Sequence, residues 1–364
     1  MLLKFFRRRG LQTASNPEFS AIMDMYEAQK PSLVRGALSG ESWRHESMGQ
    51  TLTTITDPVK LRKLKKQATA NLNHWKANKA EPPSEVEVVN QDWGDVALEA
   101  TRKYGRLYAV LNMANSLYPG GAALQGGSAQ EENMWHRTTC ALSLKDKIVI
   151  CDRDYENTFL YTPEGRELVE GRKKMLPMEL EMLKKRCKEA YSPDANKTFF
   201  SEEPRICFRG PIVSLPLAMD EYAPNMVADS GLSFAFLPDQ HIFPFYELRS
   251  AAPEHFAESQ SQEPIVLKQH KDDLRRRIAA QLDTLILAEQ PNVLLGAWGC
   301  GEFRNEPELV AEIYAEEIEK RAAFFQHIMF PIINTRSKIN NFDIFQQTLT
   351  GIKLGEDQQP SHQM

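Results

Sequence analysis

This chain lacks an excess of charge of either sign, a long apolar run and any metal-ligand spacing. Its 364 residues carry 44 Lys and Arg against 49 Asp and Glu, a formal charge of −5. So mild a balance provides no global basic field for nucleic acid, and any phosphate binding has to be local. The longest apolar runs, such as "IVIC" at 148–151 and "VLLGAW" at 293–298, are far too short to span a bilayer. Cys140, Cys151, Cys187, Cys207 and Cys300 form no CxxC pair and read as reduced thiols rather than a disulfide framework. The eight histidines show no HxxxH spacing, so neither a structural nor a catalytic zinc is expected. Acids are missing from the first fifteen residues, "MLLKFFRRRGLQTAS". That stretch is too short in apolar character for a secretory signal. It reads as a solvated or helical tail, with a faint look of a transit peptide.

What is present is an alternation of two textures. Residues 17–77 are polar with weak helical periodicity, and Pro82–Pro83 then forbids continuation. "VEVVN" (86–90) and "LYAVLNMA" (107–114) read as strands, and "WGDVALEATRKYG" between them reads as a helix with a glycine stop. This is βαβ texture and predicts a parallel pair with a right-handed crossover. Near the end, Leu274, Ile278, Leu282 and Leu285 lie on one helical face. "NVLLGAW" then reads as a buried strand, "GCGEFRNEP" as a turn, "ELVAEIYAEEIEKRA" as a helix and "IMFPII" as a last strand. Asn305 is the expected cap of that helix, with Pro307 in the first turn and Glu308 completing the pattern. Between 150 and 260, "TFLYT", "RICFRGPIVSL" and "FYELRSAAP" carry further strands. The result is an α/β core with helices on both faces of a sheet over 85–350. An N-terminal helical extension (1–84) precedes it and a flexible tail (351–364) follows.

Two glycine-bearing loops each follow a strand and precede a helix. Both therefore belong at the carboxyl edge of the sheet, where ligands bind in such folds. The first holds Gly120, Gly121, Gly126 and Gly127; the second holds Gly296, Gly299 and Gly301. Neither matches GxxxxGK[ST] or GxGxxG. Two short loops without a lysine suit a diphosphate gripped by backbone amides from both sides. The same glycines would also serve simple turns needing positive φ. Glu131 and Glu132 follow the first loop directly. Ser128 with Glu131 fits a capping box, and acids in a first turn gain roughly 0.3–1 kcal/mol from the helix dipole. Capping gives Glu132 no duty, however, and a carboxyl beside a bound sugar can act as general acid on a glycosidic oxygen.

"VLNMANSLYPGGAALQGGSAQEENMWHR" resembles the catalytic loop of the poly(ADP-ribose) glycohydrolases: a glycine triplet, a short spacer, then Gln-Glu-Glu. "LLGAWGCGEFRNEPELVA" resembles the second phosphate loop of the microbial form. The likeness spans roughly 85–145 and 245–335. It implies a macrodomain-like three-layer α/β/α fold with a mixed, mostly parallel sheet. By this resemblance Glu132 is the catalytic acid and then the base toward water. Glu131 and Asn112 hold hydroxyls of the cleaved ribose, supported by Gln130. Asn115 closes the strand end. Gly120, Gly121 and Ala122 approach the diphosphate. Gly299, Cys300, Gly301 and Glu302 close over it through backbone amides, and Phe303 packs on the ribose. No metal or cofactor is implied, because the leaving group is protonated.

The resemblance further implies a monomer acting on ADP-ribose or ADP-ribosylated protein, without membrane or sequence-specific nucleic acid as partner. A cytoplasmic location is expected, with secretion into a host cell or a transit peptide as alternatives. Two departures stand out: Ala122 replaces the family's third loop glycine, and Ala123 stands where a bulky aromatic is usual. A β-carbon at Ala122 would crowd the diphosphate or oppose a positive φ. This motivates the alternative of an ADP-ribose reader without turnover, and another of a hydrolase for a special mono-ADP-ribosylated target. Cys300 has a nucleophile reading, but no histidine is placed in sequence to activate it.

Overall fold

The computed structural model describes residues 42–115, 120–125, 127, 129–152, 157–171, 178, 182, 198–217, 225–254, 264–334 and 340–355. The basic N-terminal stretch, Ser128, Cys187, Gly126 and the last nine residues lie outside them.

Helices α1 (Ser42–Thr56) and α2 (Pro58–Ala77) come first. Asp57 starts α2 by accepting from the amides of Val59 and Lys60, and Pro58 takes the first turn, where no amide partner is needed. Strand β1 (Val86–Val89) leads to α3 (Trp93–Tyr104). Asp92 caps α3 through the amides of Gly94 and Asp95, and Gly105 ends it at φ 58°, in the left-handed region. Strand β2 (Ala109–Ala114) runs to the first glycine loop, and α4 (Gln130–Arg137) follows. Strands β3 (Val149–Cys151) and β4 (Phe159–Tyr161) form a separate antiparallel pair, and helix α5 (Pro163–Gly171) follows. Next come β5 (Phe199–Phe200), β6 (Arg205–Cys207) and a second separate pair, β7 (Ser214–Leu217) with β8 (Asn225–Ala228). Strand β9 (Phe243–Ala251), α6 (Pro264–Leu287), β10 (Asn292–Leu294), α7 (Pro307–Glu319), β11 (His327–Pro331) and α8 (Asn341–Leu349) complete the chain.

The main sheet has seven strands in the order β1-β11-β10-β2-β9-β5, with β6 also on β9. β1, β11, β10, β2 and β9 are parallel, and β5 and β6 run antiparallel to β9. The sheet is mixed and mostly parallel, as expected. The βαβ expectation needs correction, since β1 and β2 are parallel but not adjacent, with β11 and β10 between them. Local sequence reveals the unit but not which later strands enter the gap.

Side-chain alternation divides the sheet's two faces. Ala109 and Leu111 of β2 pack on one side with Leu274, Ile278, Leu282 and Leu285 of α6 and with Val310 and Tyr314 of α7. Tyr108 and Val110 pack on the other side with Trp93, Val96, Ala97 and Ala100 of α3. The result is three layers, α/β/α. A further cluster joins Met48, Leu52 and Ile55 of α1 to Ala123, Leu124 and Trp135 at the first loop. The N-terminal helices thus share a core with the loop, and packing shows no break at residue 84.

The tail expected from 351 onward is corrected as well. Ile352 accepts from the amide of Val86, and Gly351 and Leu354 donate to Val86 and Ser84. Leu354 is buried. Residues 351–355 therefore extend the edge of β1, because a strand edge left bare would carry unpaired amides.

Candidate functional site

β2 and β10 are neighbours in register, with Val110 beside Leu294, so both glycine loops leave the same edge of the sheet side by side. β10 ends earlier than β2. The β10-facing edge of β2 beyond Val110 is taken instead by Gln130, which accepts from the amide of Met113 and donates to the carbonyl of Leu111, at 2.9 and 2.8 Å. One side chain therefore completes the ladder and pins the start of α4 to the strand.

That anchor aims the next two residues at the loop. The Glu131 carboxylate accepts from the amide of Asn115 at 2.7 Å, and Glu132 accepts from the amide of Ala122 at 2.8 Å. Both side chains are buried. Oε1 of Glu131 and Oε2 of Glu132 have no hydrogen-bond partner among the described residues. The capping-box expectation is overturned for Glu131. The N-cap is Ala129, with no side-chain cap bond, and the Glu131 carboxylate reaches across to the end of β2 instead.

The glycines make this arrangement possible. Gly121 has φ 55°, and a β-carbon there would lie 2.4 Å from Oε1 of Glu132 and 3.0 Å from Oε2 of Glu131. Gly120 has φ 74°. Ala122 is not among the residues with positive φ, so its β-carbon costs no strain there. Its amide donates to Oε1 of Glu132. Ala123 is fully buried in the cluster that includes α1.

Burial pushes the Glu131 carboxyl well above the ordinary carboxylate range. The neighbouring Glu132 charge adds to the rise, and the Asn115 amide and Arg249 oppose it. Burial also raises Glu132, opposed by the amides of Ala122 and of the first helical turn. The Glu302 carboxylate raises Glu132 further, which places the tip of the second loop within electrostatic reach of the first.

The second loop is tied down from below. Trp298 donates its indole N–H to Ser250 at the end of β9, at 3.0 Å. Gly296 packs on Met113 of β2 so closely that a β-carbon would sit 2.2 Å from its terminal methyl. Asn305, expected to cap α7, instead donates to the carbonyls of Pro253 and Gly299 and meets His270 Nε2 through Oδ1. The residue at the cap is Glu306. Gly299 has φ 76°, as the turn requires. The Cys300 amide donates to Ala297 within the turn, so it is not one of the outward donors expected there. Among the described residues no acceptor takes the amides of Gly299, Gly301 or Glu302. Gly301 and Glu302 are exposed and Phe303 is half-buried beside them. Burial pushes the Cys300 thiol far up, against a nucleophilic thiolate.

Asn112 of β2 is fully buried and donates to Oε1 of Glu247 at 2.8 Å; its Oδ1 has no partner among the described residues. Glu247 also accepts from Arg249 on both oxygens and from Arg205. Reading "FYELRSAAP" only as a strand misses this pair. The signal was available: two charged residues at i and i+2 in an otherwise apolar strand share one face, and here that face is buried. The Arg137–Asp92 ion pair at 2.6 Å, with Asn133 bridging, was missed likewise and locks α4 to the start of α3. Among the described residues no cluster of His, Cys, Asp and Glu could hold a metal ion, and no helix is long and apolar enough to cross a membrane.

A layered sheet, mostly parallel, with paired buried carboxyls and a glycine loop at its carboxyl edge is a macrodomain-like arrangement. Comparison with known proteins narrows it. Residues 45–166 match the family model of the microbial-type poly(ADP-ribose) glycohydrolase catalytic domain. The solved glycohydrolase of Thermomonospora curvata shares the fold at TM-score 0.52, with 18% identity over 84% of this chain and 99% of that one. The same enzyme bound to the inhibitor ADP-HPD gives 0.51, with 18% identity over 84% and 98%. The Deinococcus radiodurans glycohydrolase in complex with ADP-ribose is 22% identical over 78% of this chain and 91% of that one. Its TM-score is 0.48. No curated protein is a significant match. The fold is that of the bacterial poly(ADP-ribose) glycohydrolases, and the family model covers α4 with its Gln130–Glu131–Glu132 run.

Proposed function

We propose that the protein is a glycosidase that hydrolyses the O-glycosidic ribose bonds of ADP-ribose, in polymer or on protein, with Glu132 as general acid. One observation carries this reading. Two adjacent buried carboxyls, both raised above their ordinary range, each keep one oxygen unengaged at the sheet edge from which both glycine loops leave.

A general acid needs a proton near neutral pH and an open direction in which to deliver it. Glu132 has its Oε1 fixed by Ala122 and its Oε2 available. It protonates the departing ribosyl oxygen and then draws a proton from the incoming water. Glu131, protonated more tightly, and the Oδ1 of Asn112 offer a donor and an acceptor. A ribose hydroxyl satisfies both at once. The outward amides of Gly299, Gly301 and Glu302 suit the diphosphate. The negative diphosphate and the newly formed Glu132 carboxylate both steady an oxocarbenium-like transition state. Two neighbours on one helix cannot flank a bond from opposite faces, so the familiar carboxylate-separation rule does not apply.

The β-carbon of Ala122 was the reason to consider a reader without turnover. Without a positive φ at that residue, only the backbone half of that reason falls away, and the crowding half is answered by the binding and release measurements. The test is release of ADP-ribose from polymer and from modified protein. Glu132→Gln is expected to slow release by about 10²–10⁴-fold while calorimetry shows that ADP-ribose still binds. Undiminished release by the variant would refute the role of Glu132. Binding without release by the unaltered chain would refute the enzyme.

A further inference from the structure

Glu247 and Arg249 are buried charges that the mechanism above does not use. Both lie on the face of β9 turned toward α4, and Arg249 is in register with Asn112 of β2. The Arg249 guanidinium lies 4.9 Å from the ring centre of Trp135, one turn along α4 from Glu131, and 4.8 Å from that of Phe199. Its Nε is 2.7 Å from Oε1 of Glu247 and its Nη2 is 3.0 Å from Oε2. Arg249 therefore packs on the helix that carries Glu131, yet its carboxylate hydrogen bonds go to Glu247.

We infer that Glu247 is a positioning residue for the site: by holding Arg249 bidentate it withholds the guanidinium charge from Glu131 and so keeps the proton on Glu131. The arrangement lets a guanidinium stack on Trp135, one turn along α4 from Glu131, without ionising that carboxyl. A free arginine within a few ångströms would favour the ionised form, whereas a buried pair of net charge zero leaves burial to decide. Several charged groups act on Glu131 or on its neighbours. Glu132 lies on its own helix, and Arg249 and Glu247 come from β9. Arg205 of β6 stands behind Glu247. Cys140, after α4, faces the pair with its thiol held neutral by burial. Glu302 of the second loop acts on Glu132.

The inference rests on the hydrolase reading only for its kinetic arm; its first arm needs no turnover. Infrared titration of the full chain follows the carbonyl stretch of the protonated carboxyl, assigned to Glu131 by its loss in Glu131→Gln. The Glu131 midpoint is expected well above the ordinary carboxylate range. Glu247→Gln should lower its midpoint by about one unit or more, and Arg249→Gln should raise it. The double variant, which leaves neither member of the pair charged, should titrate near the unaltered protein. A midpoint that does not move in either single variant, or that moves the same way in both, overturns the inference. If Glu247→Gln does not fold, Arg249→Gln against the double variant decides on the same criterion. In the kinetic arm, the alkaline limb of the hydrolysis pH profile should shift with the infrared midpoint. A shift in the infrared alone would leave the positioning role intact and count against the proposed reaction.

Discussion

The two glycine loops leave neighbouring strands at one edge of the sheet, yet their glycines answer to different forces. In the first, Gly121 is needed because two carboxylates lie against it, at 2.4 and 3.0 Å from where a β-carbon would be. In the second, a β-carbon at Gly301 would meet nothing within 4 Å. The first loop is a lining pressed onto buried acids and supported by α1. The second is an open crest, fastened through Trp298 and Asn305 and exposed at its tip. Similar composition therefore conceals a division of labour: one loop shapes the acids, the other presents backbone.

Four substitutions can break or sharpen that contrast. Gly121→Ala should have the largest effect. It forces a side chain into a left-handed backbone and into Oε1 of Glu132, so a stability loss of about 1–3 kcal/mol in denaturant unfolding is expected, with release of ADP-ribose abolished. Asn305→Ala should cost about 1–3 kcal/mol, because two carbonyls and His270 lose a buried partner, and ADP-ribose binding should weaken in calorimetry while the Glu131 infrared band stays in place.

Glu131→Gln should stabilise the fold above about pH 5. The folded state holds this carboxyl protonated well above its ordinary value. The unfolded chain therefore releases the proton first as pH rises through roughly 4.3, and stability falls from there up to the folded-state midpoint. Melting curves should show the variant ahead of the unaltered chain at pH 8 and level with it below pH 4. Gly301→Ala should be the mildest, within about 0.5 kcal/mol of the original stability. A large loss there would mean the crest is packed after all.

Local pattern made much of this molecule legible. The apolar face of α6 follows from residues four and three apart, and every member is fully buried. Gly105 and Pro82–Pro83 mark where helices stop. The placing of both loops at one edge follows from strand–turn–helix order alone. What stayed hidden depended on partners far off in sequence. Asn305 looks like a cap until Pro253 and Gly299 compete for it, and the capping look of Glu131 gives way to an amide sixteen residues earlier. Leu354 reads as the start of a loose end because nothing nearby in sequence announces that Ser84 needs a donor. The burial of Glu247 and Arg249 depends on α4 lying over β9.

Arg209 shows what the first two helices mean for anyone shortening this chain. Its buried guanidinium donates to the Ser47 carbonyl, the Thr51 hydroxyl and the Gln50 amide oxygen on α1, and its Nε donates to the carbonyl of Phe234. Cutting the chain at residue 85 would strand that cation, uncover Trp135 and remove the ground on which Ala123 and Leu124 stand. The smallest fragment worth expressing begins ahead of Ser42.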